Sequence, residues 1–215
     1  MGEDSSTYLC AILDCEALTH MILRTHMTMT TKEQVQEILS QARTAHGSVR
    51  IDLGCGLNRV PGTIGVDHLI SDEVQIVANI EETLPFPDQS IDEVYLSHVL
   101  EHVHDPWELV KEIHRVLVVG GRCEIRVPHH TNPSAFEMGH RTYWNRFSMT
   151  GVLRNGTKSK EQQALFLEER IAIEPLFLRG LLRPVINAVP RLYEMGLCHL
   201  FPAYEVVYSL KKQAV

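Results

Sequence analysis

The chain has 215 residues, 44% of them hydrophobic and 22% charged, a composition ordinary for a soluble domain with a sizeable core. Its formal net charge of -7 argues against a protein built to hold a nucleic-acid backbone, which needs clustered basic surface. The five cysteines are odd in number, scattered and without CxxC spacing, which suits reduced thiols in a cytoplasm rather than a disulfide or zinc framework.

Residues 1–30 read as an appendage, either a short packed helix or a loosely ordered leader. Glu3, Asp4, Asp14 and Glu16 interrupt its apolar tint, which argues against a secretory signal, and no apolar run approaches a membrane span. A cytoplasmic chain with no membrane or nucleic-acid partner is expected, and a homodimer is compatible with it. The remainder, 31–215, reads as one domain.

From Thr31, "TKEQVQEILSQARTAHG" places Val35, Ile38 and Leu39 on one helical face and ends at Gly47. Strands are expected at "VRIDL", "TIGVD", "VQIVANI" and "IDEVYLSHVL", the last running into a short helical segment. "DPWELVKEIHRVLVVGG" is the clearest helix: Asp105 caps it, Pro106 opens it, Glu108 completes a capping box, and Gly120-Gly121 ends it. "GRCEIRVP" is a fifth strand. "RIAIEPLFL" and "AYEVVYSLKK" form a terminal antiparallel pair around a helical insertion. The alternation predicts an α/β, doubly wound sheet.

The stretch "VRIDLGCGLNRVPGTIGVDHL" carries the chemistry. In such a sheet the ligand lies beyond the carboxyl ends of the strands, the turn after the first strand cradles it, and an acid ending the second strand, here Asp67, accepts from ribose hydroxyls. A dinucleotide also needs a helix N-terminus for its pyrophosphate. Only ten residues, Gly54 to Thr63, separate the two strands, with Arg59 where a third glycine would stand and Pro61-Gly62 breaking any helix. An adenosine ligand without pyrophosphate, such as S-adenosylmethionine, fits better than a nicotinamide cofactor.

"IDLGCG", Asp67, "LPFPDQSIDEVYLSHVLEHV" and "EIHRVLVVGGRCEIRVPH" together resemble the type-11 branch of the class I S-adenosylmethionine-dependent methyltransferases, and "NRVPGTIGVD" and "GHRTYWNRFS" resemble a compact bacterial subgroup. The resemblance implies a seven-stranded, Rossmann-like sheet, mostly parallel with an antiparallel last strand. It implies a cofactor half at about 48–130 and a substrate and lid half at about 131–215. It places Asp52, Gly54, Cys55 and Gly56 at the methionine moiety, Asp67 and its neighbour His68 at the ribose, Asn79 and Ile80 at the adenine, and Ser97 and His98 by the sulfonium. The family more often has an aspartate at Asn79. The resemblance implies S-adenosylmethionine as cofactor, with S-adenosylhomocysteine as product.

Several of the twelve histidines fall at the expected active edge. His129 and His130, directly after the fifth strand, and then His140 rank first as base or orienting groups, in a pocket with Tyr143; Arg141 and Arg146 are candidates for an anionic substrate or for solvent. "HVLEH", His98 to His102, spells the H-x-x-E-H zinc pattern, but the segment is too short for the sustained helix that motif requires, and no metal is expected. The reading is methyl transfer to an oxygen or nitrogen of a small molecule. A non-catalytic binding protein that keeps the fold is the alternative.

Overall fold

The computed structural model describes residues 29–150 and 165–214; the expectation for the N-terminal appendage falls almost wholly outside the described residues. Helix α1 (Lys32–His46) begins as its sequence dictates: the Thr31 side chain accepts from Gln34 N and the Gln34 side chain accepts from Thr31 N, a reciprocal cap. Gly47 closes it in the left-handed conformation, and Val35 and Leu39 are its buried stripe.

Seven strands follow: β1 (Arg50–Leu53), β2 (Ile64–Asp67), β3 (Ile76–Val77), β4 (Ile91–Ser97), β5 (Leu117–Pro128), β6 (Phe166–Pro175) and β7 (Ala203–Lys212). They form one sheet in the order β3-β2-β1-β4-β5-β7-β6. The first five are parallel neighbours, while β7 runs antiparallel to both β5 and β6. The predicted terminal pair is therefore present: β7 is antiparallel to its two neighbours. The order reverses at β1, where β2 leads one way and β4 the other, so a crevice opens beyond the carboxyl ends of these strands.

Helix α2 (Pro106–Val116) is capped by Asp105, which accepts from Trp107 N and Glu108 N. Glu108 does not close the expected capping box; its carboxylate pairs with Lys111. Nor does the helix reach Gly120-Gly121. It stops at Val116 because Leu117 is fully buried and already pairs with Ile91. Both glycines lie inside β5 beside a register shift in β4, and a Cβ at Gly121 would meet Val118 O at 2.9 Å and Asp92 O at 3.0 Å. Strand β3 is only a pairing of two residues with β2, shorter than its apolar run suggests. Its other edge is held by Thr30, whose N–H donates to Val77 O and whose Oγ1 accepts from Val77 N.

Arg115 fixes the proline-rich loop before β4, donating to Leu84 O, Phe86 O and Asp88 while pairing with Glu112. After β6, helix α3 (Arg179–Ala188) leads into a short kinked helical run, Pro190 to Leu200, that packs Tyr193 and Cys198 into a small second core with Ile173 and Ala203.

Candidate functional site

The ten residues between β1 and β2 form a hydrogen-bonded turn in place of a helix. Asp52, 3% exposed, accepts from Val60 N at 2.8 Å, Thr63 Oγ1 donates to Val60 O, and Arg59 pairs with Glu73 at 3.0 Å. Burial raises the Asp52 carboxyl above its usual range, partly offset by the Val60 N–H. Asp52 thus holds the turn from beneath. Cys55 is likewise buried against Glu73 O, and burial pushes its thiol up to about 11, an unreactive value.

Gly54 shows why this position takes glycine. Its φ is +70°, and a Cβ there would sit 2.5 Å from Val99 Cγ2. At the end of β2, Asp67 Oδ2 accepts from Gly56 N and Oδ1 from Leu69 N, both at 2.9 Å, while His68 Nδ1 lies 3.1 Å from Oδ1. Asn79 caps its own turn: its Oδ1 accepts from Glu81 N and its Nδ2 donates to Glu82.

These strand ends surround a cleft of about 610 Å³. Of the residues predicted to hold a cofactor, Gly54, Asp67, His68, Asn79, Ile80 and His98 line it. Asp52, Cys55, Gly56 and Ser97 do not: the first two are buried beneath the turn, Gly56 contributes its backbone to Asp67, and Ser97 is the last residue of β4. Met29, Glu81, Val99, His102 and Val103 complete the wall. Among these, His102 carries a sequence signal in "HVLEH"; Met29 carries none, since only the long-range pairing of Thr30 with β3 brings it there.

His98 has a left-handed backbone, φ +56°, uncommon outside glycine. That turn sets its ring between two carboxylates, with Nδ1 3.4 Å from Glu101 Oε1 and Nε2 3.4 Å from Glu205 Oε2. Glu101 and then Glu205 raise its pKa to about 9, against an opposing effect of burial. His98 is an imidazolium at neutral pH.

His129 and His130 depart from the expected geometry. Neither lines the cleft. His129 is 0% exposed; Nδ1 accepts from Thr131, and Nε2 faces Glu194 Oε2 at 3.2 Å. Burial opposes charge on Glu194, but His129 and the Arg146 N–H outweigh it and hold that carboxyl below its usual range. His130 stacks on His129 and faces His199. The backbone continues beyond β5 in a bridge from His129 to Trp144, so these side chains meet the Pro190–Leu200 run instead of the cleft. His140 meets a cleft residue: its ring lies edge-on to His102, 4.5 Å between centroids. Tyr143 stacks on Phe136 and is not with the other three. Arg141 donates to His102 O, and Arg146 to Ile171 O and Glu168, so both arginines are engaged internally. A second cavity of about 500 Å³, between Arg146–Phe147 and Ala188–Leu192, has Arg146 in its wall and none of the residues predicted for the cofactor or for catalysis.

Known proteins share these features. Residues 55–125 match the family profile described as a methyltransferase domain. A stretch of 74 residues is 35% identical to the ubiquinone/menaquinone biosynthesis C-methyltransferase UbiE of Hahella chejuensis, covering 34% of this chain and 30% of that protein. The match thus spans less than a third of that curated relative. A S-adenosylmethionine-dependent methyltransferase from Archaeoglobus fulgidus has the same fold, with a TM-score of 0.53 at 20% identity over 93% of this chain and 100% of the other. The cyclase SpnF also shares it, with a TM-score of 0.50 at 15% identity over 84% and 80%. The sheet order is that of the solved methyltransferase fold, and residues 55–125 are similar to a methyltransferase domain. S-adenosylmethionine, the cofactor that the resemblance implies, suits the observed cleft: Gly54 sets bare backbone in its wall, and the carboxylate of Asp67 lines it. Among the described residues no helix is long and apolar enough to cross a membrane.

Proposed function

We propose that this protein transfers a methyl group from S-adenosylmethionine to an oxygen or nitrogen of a small molecule. The observation that carries the reading is the placement of Gly54, Asp67, Asn79 and His98, from the ends of β1 to β4, around one cleft at the point where strand order reverses. Residues of about 48–130 hold the cofactor and 131–215 supply the acceptor side.

The bound cofactor supplies an electrophilic methyl group, so the protein's task is alignment and exclusion of water. Asp67 accepts from the ribose hydroxyls with lone pairs left over from Gly56 and Leu69. Ile80, Val99 and Val103 supply apolar wall. His98, cationic between Glu101 and Glu205, cannot take a proton at neutral pH; it orients an electron-rich acceptor. His102 and the adjacent His140 are the remaining rings placed to accept a proton from a hydroxyl or ammonium acceptor.

One observation favours the alternative, a binding protein without catalysis: the Asn79 amide is occupied within its own turn, leaving less of it for adenine. The name of the Hahella relative specifies a carbon acceptor, which makes carbon the third acceptor type to assay. Incubating the protein with methyl-labelled S-adenosylmethionine and fractionated small-molecule extracts tests the reading. Label transferred to a solute supports it; cofactor binding with no transfer to any fraction favours the non-catalytic alternative.

A further inference from the structure

Glu101 is 0% exposed, and neither of its carboxylate oxygens has a hydrogen-bond partner. Its ion-pair contact among the described residues, His98 Nδ1 at 3.4 Å, reaches one oxygen only and is shared with Glu205. The His98 cation, shared with Glu205, thus compensates this buried carboxylate only in part and leaves its second oxygen without any partner, an arrangement that a further cation would complete. Two further donors stand beside it. One ligand atom each from Glu101, His102 and His140 lies within 4.8 Å of the other two. His140 Nδ1 is 3.1 Å from Ala135 O, so the proton sits on Nδ1 and Nε2 keeps its lone pair, the way metal-binding histidines are held.

We propose that Glu101, His102 and His140 form a binding site for one divalent transition-metal cation at the edge of the cleft. Two imidazoles and one carboxylate, with positions left open, suit zinc, manganese or iron(II). The "HVLEH" segment serves here through Glu101 and His102, which lie in a turn rather than on a helix, and the distant third ligand is His140. Because His102 lines the cleft, the cation faces its contents. Its role rests on the methyl-transfer reading: with His102 and His140 serving as ligands in place of bases, the cation would coordinate an oxygen of the acceptor and favour its deprotonated form, the proton passing to water, so the acceptor class is a hydroxyl or carboxyl compound.

A competing location exists at His130, Cys198 and His199, whose ligand atoms also lie within 4.8 Å of one another. The test therefore titrates the full chain, stripped with chelator, with zinc and with manganese by calorimetry. One equivalent is expected in the wild type, at least tenfold weaker binding in Glu101→Gln and in His140→Ala, and binding within twofold of wild type in Cys198→Ser. In chelator, Glu101→Gln should be at least as thermally stable as the wild type, and metal should raise the melting temperature of the wild type and of Cys198→Ser by more than that of Glu101→Gln. No uptake, or uptake lost in Cys198→Ser and kept in Glu101→Gln, overturns the proposal. S-adenosylhomocysteine is titrated in parallel. Cofactor binding without metal binding defeats this site alone, whereas metal binding without cofactor binding defeats the methyl-transfer reading and leaves the site standing.

Discussion

The main-chain N–H of Gly56 donates to Asp67 Oδ2 at 2.9 Å, tying the turn after β1 to the acid that ends β2. The same carboxylate accepts from Leu69 N. Asp67→Ala should therefore have two consequences. Losing charge-assisted bonds to ribose should weaken S-adenosylhomocysteine binding by about 1.5–3 kcal/mol, and leaving the two N–H groups without their acceptor should cost about 1–3 kcal/mol of stability. Calorimetry and urea denaturation measure the two separately. Full stability with lost affinity would remove Asp67 from its bracing role.

Gly54→Ala forces a Cβ to within 2.5 Å of Val99 Cγ2 at a backbone φ of +70°. We expect a loss of about 1–3 kcal/mol in stability, from the left-handed conformation and the displaced neighbour. Val99 lines the cleft, so cofactor affinity should fall as well. A variant as stable as the wild type would show that the turn relaxes around the added methyl.

His129→Ala should act on the fold rather than on the cofactor. It removes the buried partner of Glu194 and the acceptor of Thr131 N, at a cost of about 2–4 kcal/mol. Under conditions where the variant stays folded, S-adenosylhomocysteine affinity should change by less than about threefold, since the sites share no partner. A large affinity loss in folded protein would return His129 to the cleft.

How far the sequence carries can be judged from these residues. The alternation of strands and helices, the glycine turn and Asp67 are local patterns, and they place the cleft. The end of α2 is not local: Leu117 joins the sheet because Ile91 and the core compete for it, which outweighs the stop signal in Gly120-Gly121. The fate of His129 depends on Glu194, which lies 65 residues further along the chain. Position after β5 was legible; the direction its side chain takes was set by the insertion it packs against.

Burial, and then the nearby Lys212, holds the pKa of His114 below its ordinary 6.5; its Nε2 is buried without a partner and its ring packs edge-on against Phe166. The unfolded chain then binds more protons at this residue, so stability rises with pH through the window below about 6.5 and falls on acidification until the depressed native value is passed. Burial, and then His129, lowers His130 in the same sense. Denaturation midpoints between about pH 5 and 6, below the range where the raised His98 contributes an opposite slope, should show this rise, and His114→Leu should reduce it. An unchanged slope in that variant would assign the effect elsewhere.

The central claim is that the cleft formed by the ends of β1 to β4 binds S-adenosylmethionine. Calorimetric titration of the purified chain with S-adenosylhomocysteine, with NAD as the comparison, tests it most directly. The account predicts one S-adenosylhomocysteine per chain, affinity reduced at least about tenfold in Asp67→Ala, and no measurable NAD binding. Tighter binding of NAD, or S-adenosylhomocysteine binding indifferent to Asp67, would contradict it.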